Sequence, residues 1–274
     1  MKILLSLNQY TGSGIFGSRF LKHIRQHSVK LMSYYQNHQI FSKIDWVIDP
    51  IISGNDNYFS EHFSLKRSPK TNARLTDWIL DDVALFNPDL IISYAEPIAA
   101  LIGQVLNIKV WYCSPTFLAN ICPNAFRGIT NQKENLPKAD RYFVYAPSFV
   151  EPSKRLPEYE IVEPYVHDCG EYVNEKLPSI FKQVIYPGNS IITTGEMSYA
   201  CDLLNKDRRI ILTPNFNNKE QVATSYVFDY YKYGKNIYRP ESFSLLNNSL
   251  RTLYDFKTYK PMRKYLHEAL NGTN

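Results

Sequence analysis

The chain has 274 residues, with 31 Lys and Arg against 26 Asp and Glu, a formal net charge of +5, and 44% hydrophobic residues. That is enough material for two domains or one large one, and the longest apolar runs are strand-sized and end in polar residues, so no membrane-spanning helix is expected. Cys113, Cys122, Cys169 and Cys201 form no CxxC pair and the six histidines show no HExxH spacing, which speaks against a disulfide framework, a metal cluster or a metal requirement.

The start, MKILLSLNQYTGSG, carries one basic residue and no extended apolar region with a small-residue cleavage site, so residence in the cytoplasm is expected. Ile3 to Leu7 reads as a strand. Gly12, Gly14 and Gly17 then spell GxGxxG in a loop before a helix running from Phe16 to about Tyr34, with Phe20, Ile24 and Leu31 on its apolar side. As a dinucleotide fingerprint the motif is offset, because Asn8 to Thr11 separate strand from glycine and no acidic residue follows at the ribose distance. Ser18 and Arg19 sit beside this loop and could contact a ligand.

Trp46 to Ile48 reads as a second strand, followed by an irregular stretch from about Ser53 to Thr71. A helix from about Ala73 to Phe86, a strand from Asp89 to Tyr94, a helix from Ile98 to Leu106, and strands at Lys109 to Cys113 and Arg141 to Tyr145 complete the first half. Strands alternating with helices at this spacing imply an α/β fold with a parallel sheet. Pro147, Pro152, Pro157, Pro164 and Pro178 mark a linker over 147–178, so the expected domains are 1–150 and 151–274, the second one reduced.

The stretch from Ile191 to Gly234 is the most informative. Ile191 and Ile192 lead through Thr193 and Thr194 to a break at Gly195, and Met197, Ala200, Leu203 and Leu204 recur at helical spacing. The first turn of such a helix aims N–H groups at whatever lies above the sheet, and a phosphate suits it. Ser198 and Asp202 share a face, one able to donate to a phosphate oxygen and the other to accept from sugar hydroxyls. A second strand stops at Pro214, and a polar loop carries Glu220 and Gln221 into another helix.

The order Thr194, Gly195, Ser198, Asp202, Pro214, Glu220, Gln221 and Gly234 resembles the donor-binding signature of GT-B glycosyltransferases, in particular the UDP-glycosyltransferases and the lipid-carrier N-acetylglucosaminyltransferase of peptidoglycan synthesis. The resemblance implies two Rossmann-like domains with parallel sheets facing a cleft, and a UDP-sugar as co-substrate without a prosthetic group. It places the diphosphate on Gly195 and Ser198, ribose on Asp202, and the donor sugar on Glu220 and Gln221. Where the family pattern has a second glycine this chain has Glu196, whose carboxylate would repel a diphosphate. The same resemblance turns the loop of Gly12, Gly14, Ser18 and Arg19 towards the cleft.

A general base for an inverting transfer is expected in the first half. Glu96, just past the strand that ends at Tyr94 and ahead of Pro97, is the first choice, with Asp56, Glu61 and His62 as alternatives, while a retaining transfer needs no base. Arg19, Arg127 and Lys219 are possible stabilisers of the leaving diphosphate. The acceptor expectation rests on basic groups at Lys22, Arg25 and Lys30, at Lys66, Arg67, Lys70 and Arg74, and at Lys257, Lys260, Arg263 and Lys264, together with abundant aromatics. In texture the chain is similar to the T-even-type phage glucosyltransferases, which implies hydroxymethylated duplex DNA as acceptor, glucose as the sugar and the host cytoplasm as compartment. A lipid or small-molecule acceptor, and a non-catalytic nucleotide- or DNA-binding protein, are the other readings.

Overall fold

The computed structural model describes residues 1–8, 11–34, 48–53, 79–114, 118–126, 137–147, 149–151, 159–162, 190–205, 209–216, 218–236 and 262–271. The chain divides into two compact units. One comprises Met1–Ser114 with Leu136–Phe143, and the other Pro115–Asn135 with Val144–Asn274.

The first unit is built on β1 (Lys2–Leu7), β2 (Ser28–Tyr34), β3 (Ile48–Ser53), β4 (Leu90–Tyr94), β5 (Lys109–Cys113) and the start of β6 (Arg141–Tyr145). With β7 (Tyr159–Val162) these form a sheet in the order β3-β2-β1-β4-β5-β6-β7, and every pairing from β3 to β6 is parallel. β1 and β4 are buried on both faces, with Ile3, Leu4, Leu5, Ile91 and Ile92 fully covered, as a sheet sandwiched by helices requires. The order in which strands are added to the sheet reverses between β1 and β4, and their carboxyl ends are the switch point where such sheets bind ligands. Asn8, the beginning of helix α1 (Thr11–His23) and Glu96 lie at that end.

Two expectations fail here. Gly12, Gly14 and Gly17 are not a loop: α1 begins at Thr11 and takes all three into its first turns. Burial outweighs the poor helix propensity of glycine, because Phe16, Phe20, Leu21 and Ile24 are buried and Phe16 stacks on Phe20 at 5.2 Å and on Tyr94 at 4.5 Å. Nor does the helix run to Tyr34. It ends at His23, and Ser28–Tyr34 is a central strand between β1 and β3. Leu31 fits the helical spacing of Phe20 and Ile24 by coincidence, being a strand residue paired with Leu5.

Lys30, expected on the surface, is 7% exposed and its Nζ lies 2.6 Å from Asp82 Oδ1 on helix α2, described over 79–86. The second strand is described from Ile48 to Ser53, and the rest of its expected span, Trp46 and Val47, lies outside the described residues. The expected elements at β4, β5, β6 and helix α3 (Pro97–Leu106) are found with bounds shifted by one residue at most.

The second unit contains a three-stranded parallel sheet, β10-β9-β8, with β8 at Ser190–Thr193, β9 at Arg209–Leu212 and β10 at Lys235–Asn236. Helices α4 (Leu118–Ile121), α5 (Met197–Asn205), α6 (Lys219–Tyr230) and α7 (Met262–Asn271) accompany it. Helix α5 connects β8 to β9 and α6 connects β9 to β10, the βαβ repeat expected for 191–234. Val222, Ala223, Val227 and Phe228 bury the inner face of α6, where Phe149 meets Phe228 edge-on at 5.2 Å and stacks on Tyr233 at 4.2 Å. Tyr231 closes this cluster by donating its hydroxyl to the Glu151 carbonyl and accepting from the Glu151 N–H, each at 3.1 Å. Among the described residues no helix is long and apolar enough to cross a membrane.

Candidate functional site

β8 ends at Thr193 because the chain must turn at Gly195, whose φ of +85° is open to glycine and strained for any other residue. Space also demands glycine there, since a Cβ would stand 2.7 Å from Ser225 Oγ and 3.2 Å from the Gln221 carbonyl. The turn therefore presses directly on the first turns of α6. Ser225 itself donates back to the Gln221 carbonyl at 2.7 Å.

Helix α5 opens immediately afterwards, with the Glu196 carbonyl accepting the Ala200 N–H at 2.8 Å. Ser198, in its first turn, has a buried Oγ with no hydrogen-bond partner among the described residues. A buried hydroxyl left without a partner costs free energy of about 1–3 kcal/mol, and such a group at a helix opening suits an absent ligand oxygen. Asp202 lies one turn on along the same face and is 5% exposed, so a ligand would have to take the place of what now covers it.

The loop from β9 to α6 is held by side chains that the sequence does not single out. Asn218 caps α6, its Oδ1 accepting the N–H groups of Glu220 at 3.0 Å and Gln221 at 3.2 Å. Gln221 Oε1 accepts the Asn215 N–H at 3.0 Å, which fixes the amide orientation and leaves the NH2 end to donate. An asparagine two residues before a Glu-Gln pair at a helix start is the signal that would have found this cap. Lys219 begins the helix.

Glu220 is 5% exposed. Burial, the neighbouring Glu196 carboxylate and, in the opposite sense, a hydrogen bond from the Met197 N–H together hold its carboxyl up at about 8. Glu196, half-buried, is pushed up to about 7 by desolvation. Glu196 directly precedes α5, and its charge is felt at Glu220. Gly234, the last residue of the motif, serves packing: a Cβ there would stand 2.9 Å from Leu212 Cδ1.

In the other unit, Glu96 sits past the end of β4, 4% exposed. Its Oε1 caps α3 by accepting the Ile98 N–H at 3.2 Å, with Pro97 in the first helical position, and its carbonyl accepts from Ser93 Oγ at 2.7 Å. Arg19 lies half-buried on α1. Asp56, Glu61, His62, Arg127 and the basic group from Lys66 to Arg74 lie outside the described residues, as do Lys257 and Lys260. Lys22, Arg25 and Lys264 are exposed, whereas Lys30 is not.

No family model matches the sequence, and no curated protein matches it either. Solved structures do match the fold. A glycosyltransferase of Streptomyces sp. SF2575, SsfS6, superposes with a TM-score of 0.58 at 12% identity over 86% of this chain and 87% of that one. The glycotransferase of kitacinnamycin gives 0.58 at 11% identity over 100% and 91%. The spinosyn rhamnosyltransferase SpnG, complexed with thymidine diphosphate, gives 0.55 at 11% identity over 86% of each chain. At these identities the likeness is one of fold, and the α/β architecture of GT-B type expected from the sequence is the one found.

Proposed function

We propose that the chain is a glycosyltransferase that moves a hexosyl group from a UDP-sugar to a hydroxyl of a small-molecule acceptor. One observation carries the reading: in a fold shared with glycosyltransferases, the Gly195 turn opens into a helix whose first turn buries the unpartnered Ser198 hydroxyl. That arrangement offers a diphosphate a donor hydroxyl, a positive helix end and a backbone that lets it approach. In this reading Gly195 and Ser198 hold the diphosphate, Asp202 the ribose, and Glu220 with the Gln221 NH2 group the sugar hydroxyls.

The transfer breaks the bond between the anomeric carbon and the diphosphate oxygen as the acceptor oxygen bonds to that carbon. The acceptor proton passes to a base, and the leaving nucleoside diphosphate departs as an anion. Glu96 is the proposed base, at the carboxyl end of β4. Glu96 also caps α3 through Oε1, so the one carboxylate would serve both roles.

Support for DNA as acceptor weakens on two counts. One member of the first basic group, Lys30, is buried against Asp82, and the similar structures include proteins named for spinosyn and kitacinnamycin. The test is a panel of radiolabelled UDP- and TDP-sugars offered polyketide and phenolic alcohols, hydroxymethylated duplex DNA, unmodified DNA and lipid extract. Label is expected in the small-molecule fraction, abolished by Asp202→Ala or Glu220→Ala in folded protein. Label in the modified DNA alone would restore the DNA reading, and absence of any nucleotide binding would sink the transferase reading altogether.

A further inference from the structure

Glu196 stands where a donor-binding turn has least use for a carboxylate, and the structure surrounds it with reasons to keep a proton. The Gly195 turn is pressed against the first turns of α6, with the Gln221 carbonyl 3.2 Å and Ser225 Oγ 2.7 Å from a Cβ built on Gly195. The openings of α5 and α6 therefore meet, and each brings one carboxyl group: Glu196 immediately before Met197, and Glu220 in the first turn of α6. Glu220 accepts the Met197 N–H, so its carboxylate occupies a helix end that a phosphate oxygen would take.

We infer that Glu196 and Glu220 act as one proton-sharing pair at the opening of α5, and that a nucleoside diphosphate seating there draws a proton onto the pair. This rests on the donor-site reading above and adds to it the means by which a site holding two acidic side chains accepts an anion. Two adjacent carboxyls, one buried and one half-buried, cannot both ionise cheaply, so the pair holds a proton near neutral pH. The directions agree, since both groups are raised, to about 7 and about 8. A diphosphate brings further negative charge and competes for the Met197 N–H. Both effects remove what stabilises the ionised pair, and a proton taken from solvent compensates. Once protonated, a carboxyl changes from acceptor only to donor, and can give a hydrogen bond to a phosphate or sugar oxygen.

Lys219, next to Glu220 at the start of α6, is the one basic side chain on the two helices that carry the pair. Asp229, toward the far end of α6, is held by Lys235 of β10 at 3.6 Å. β8 and α4 carry no ionisable side chain, nor does the 3-10 turn Pro123–Phe126. Arg209 enters β9 opposite Ser190, at the end of the sheet away from Thr193. Asp202 is a further acidic side chain on α5.

The test is calorimetry of UDP and TDP binding to the full chain, in buffers of differing ionisation enthalpy at about pH 7.5. Net uptake of roughly half to one proton per nucleotide is expected, and the affinity should fall about three- to tenfold for each unit of pH above neutrality. The nucleotide's terminal phosphate titrates at about 6 when free and neighbouring carboxylates would raise it, so phosphorus NMR shifts of the bound nucleotide must stay flat above about pH 6.5 if the proton sits on the pair, and a bound phosphate that titrates there overturns the inference. Glu196→Gln should cut the uptake by at least about half and flatten the pH dependence. Binding with no proton uptake, or uptake unchanged in Glu196→Gln, overturns the inference and leaves the donor site standing. If neither nucleotide binds at about pH 6.5, the donor site and the coupling fall together. Should Glu196→Gln fail to fold, the wild-type buffer series decides alone.

Discussion

Gly195 leaves room for Ser225: a Cβ on the glycine would stand 2.7 Å from the serine Oγ, at a φ of +85°. The contact sets how closely the β8 turn approaches α6, and hence where the N–H groups of α5 point. Gly195→Ala should therefore cost about 1–3 kcal/mol in a urea titration, combining left-handed backbone strain with overpacking. It should also weaken UDP or TDP binding. Because part of the cost is steric, adding Ser225→Ala should recover some stability while the backbone strain persists. Full recovery in the double variant would show that the positive φ contributes nothing.

Lys30 and Asp82 make a second such relation, an ion pair at 2.6 Å between a central strand and α2. The lysine side chain is 9% exposed and the aspartate 29%. Removing the aspartate strands a buried ammonium, so Asp82→Ala should destabilise by about 1–3 kcal/mol, less than a fully buried pair because the carboxylate keeps water contact. Lys30→Met should cost less, since the long apolar stem is retained and the stranded carboxylate can reach solvent. Thermal melts of the two variants check the order.

That pair also explains where the sequence misled. A strand reading SVKLMSY with lysine in third place looks amphipathic and extends the helical spacing of Phe20 and Ile24. Only a partner 52 positions away, Asp82, makes it a buried strand. The glycines of α1 mislead in the same way, because a packing face that includes Phe16 and Tyr94 decides the helix from outside the local sequence. Where the signal was local it could be read closely: β4 is a largely apolar run, LIISY, that ends ahead of Glu96 and Pro97, and the turn at Gly195 needs a glycine. The polar residues of 195–221 were legible as a set. Their burial, and the meeting of Glu196 with Glu220, depend on α5 and α6 coming together and had no signature in spacing.

Glu96 separates into a structural and a chemical role by choice of substitution. Glu96→Gln keeps an oxygen for the Ile98 N–H and should hold stability within about 0.5 kcal/mol, whereas Glu96→Ala loses the cap and should cost about 0.5–2 kcal/mol. If Glu96 is the base, both variants lose transfer by about two to four orders of magnitude in kcat with donor affinity retained. A Glu96→Gln protein that transfers sugar within a few-fold of wild type would confine Glu96 to capping.

The buried carboxyls give a stability profile of definite sign. Glu196 and Glu220 are raised from 4.5 to about 7 and about 8 in the folded chain. Between those values the native state binds more protons than the unfolded one, so stability must fall as pH rises. The contribution is fully present below about 4.5 and is lost progressively to about 8, opposite to the usual carboxylate case in which acid destabilises. Glu220 is nearly fully buried and Glu196 only half, so the glutamate on α6 should carry the larger part. Without nucleotide, Tm should drop by about 4–8 °C from about pH 5.5 to about pH 8.5. Glu220→Gln, which keeps an oxygen for the Met197 N–H and cannot ionise, should flatten that slope and be more stable than wild type at the alkaline end. A slope unchanged in Glu220→Gln would mean that other groups set the pH dependence and that the two carboxyls ionise freely in the fold.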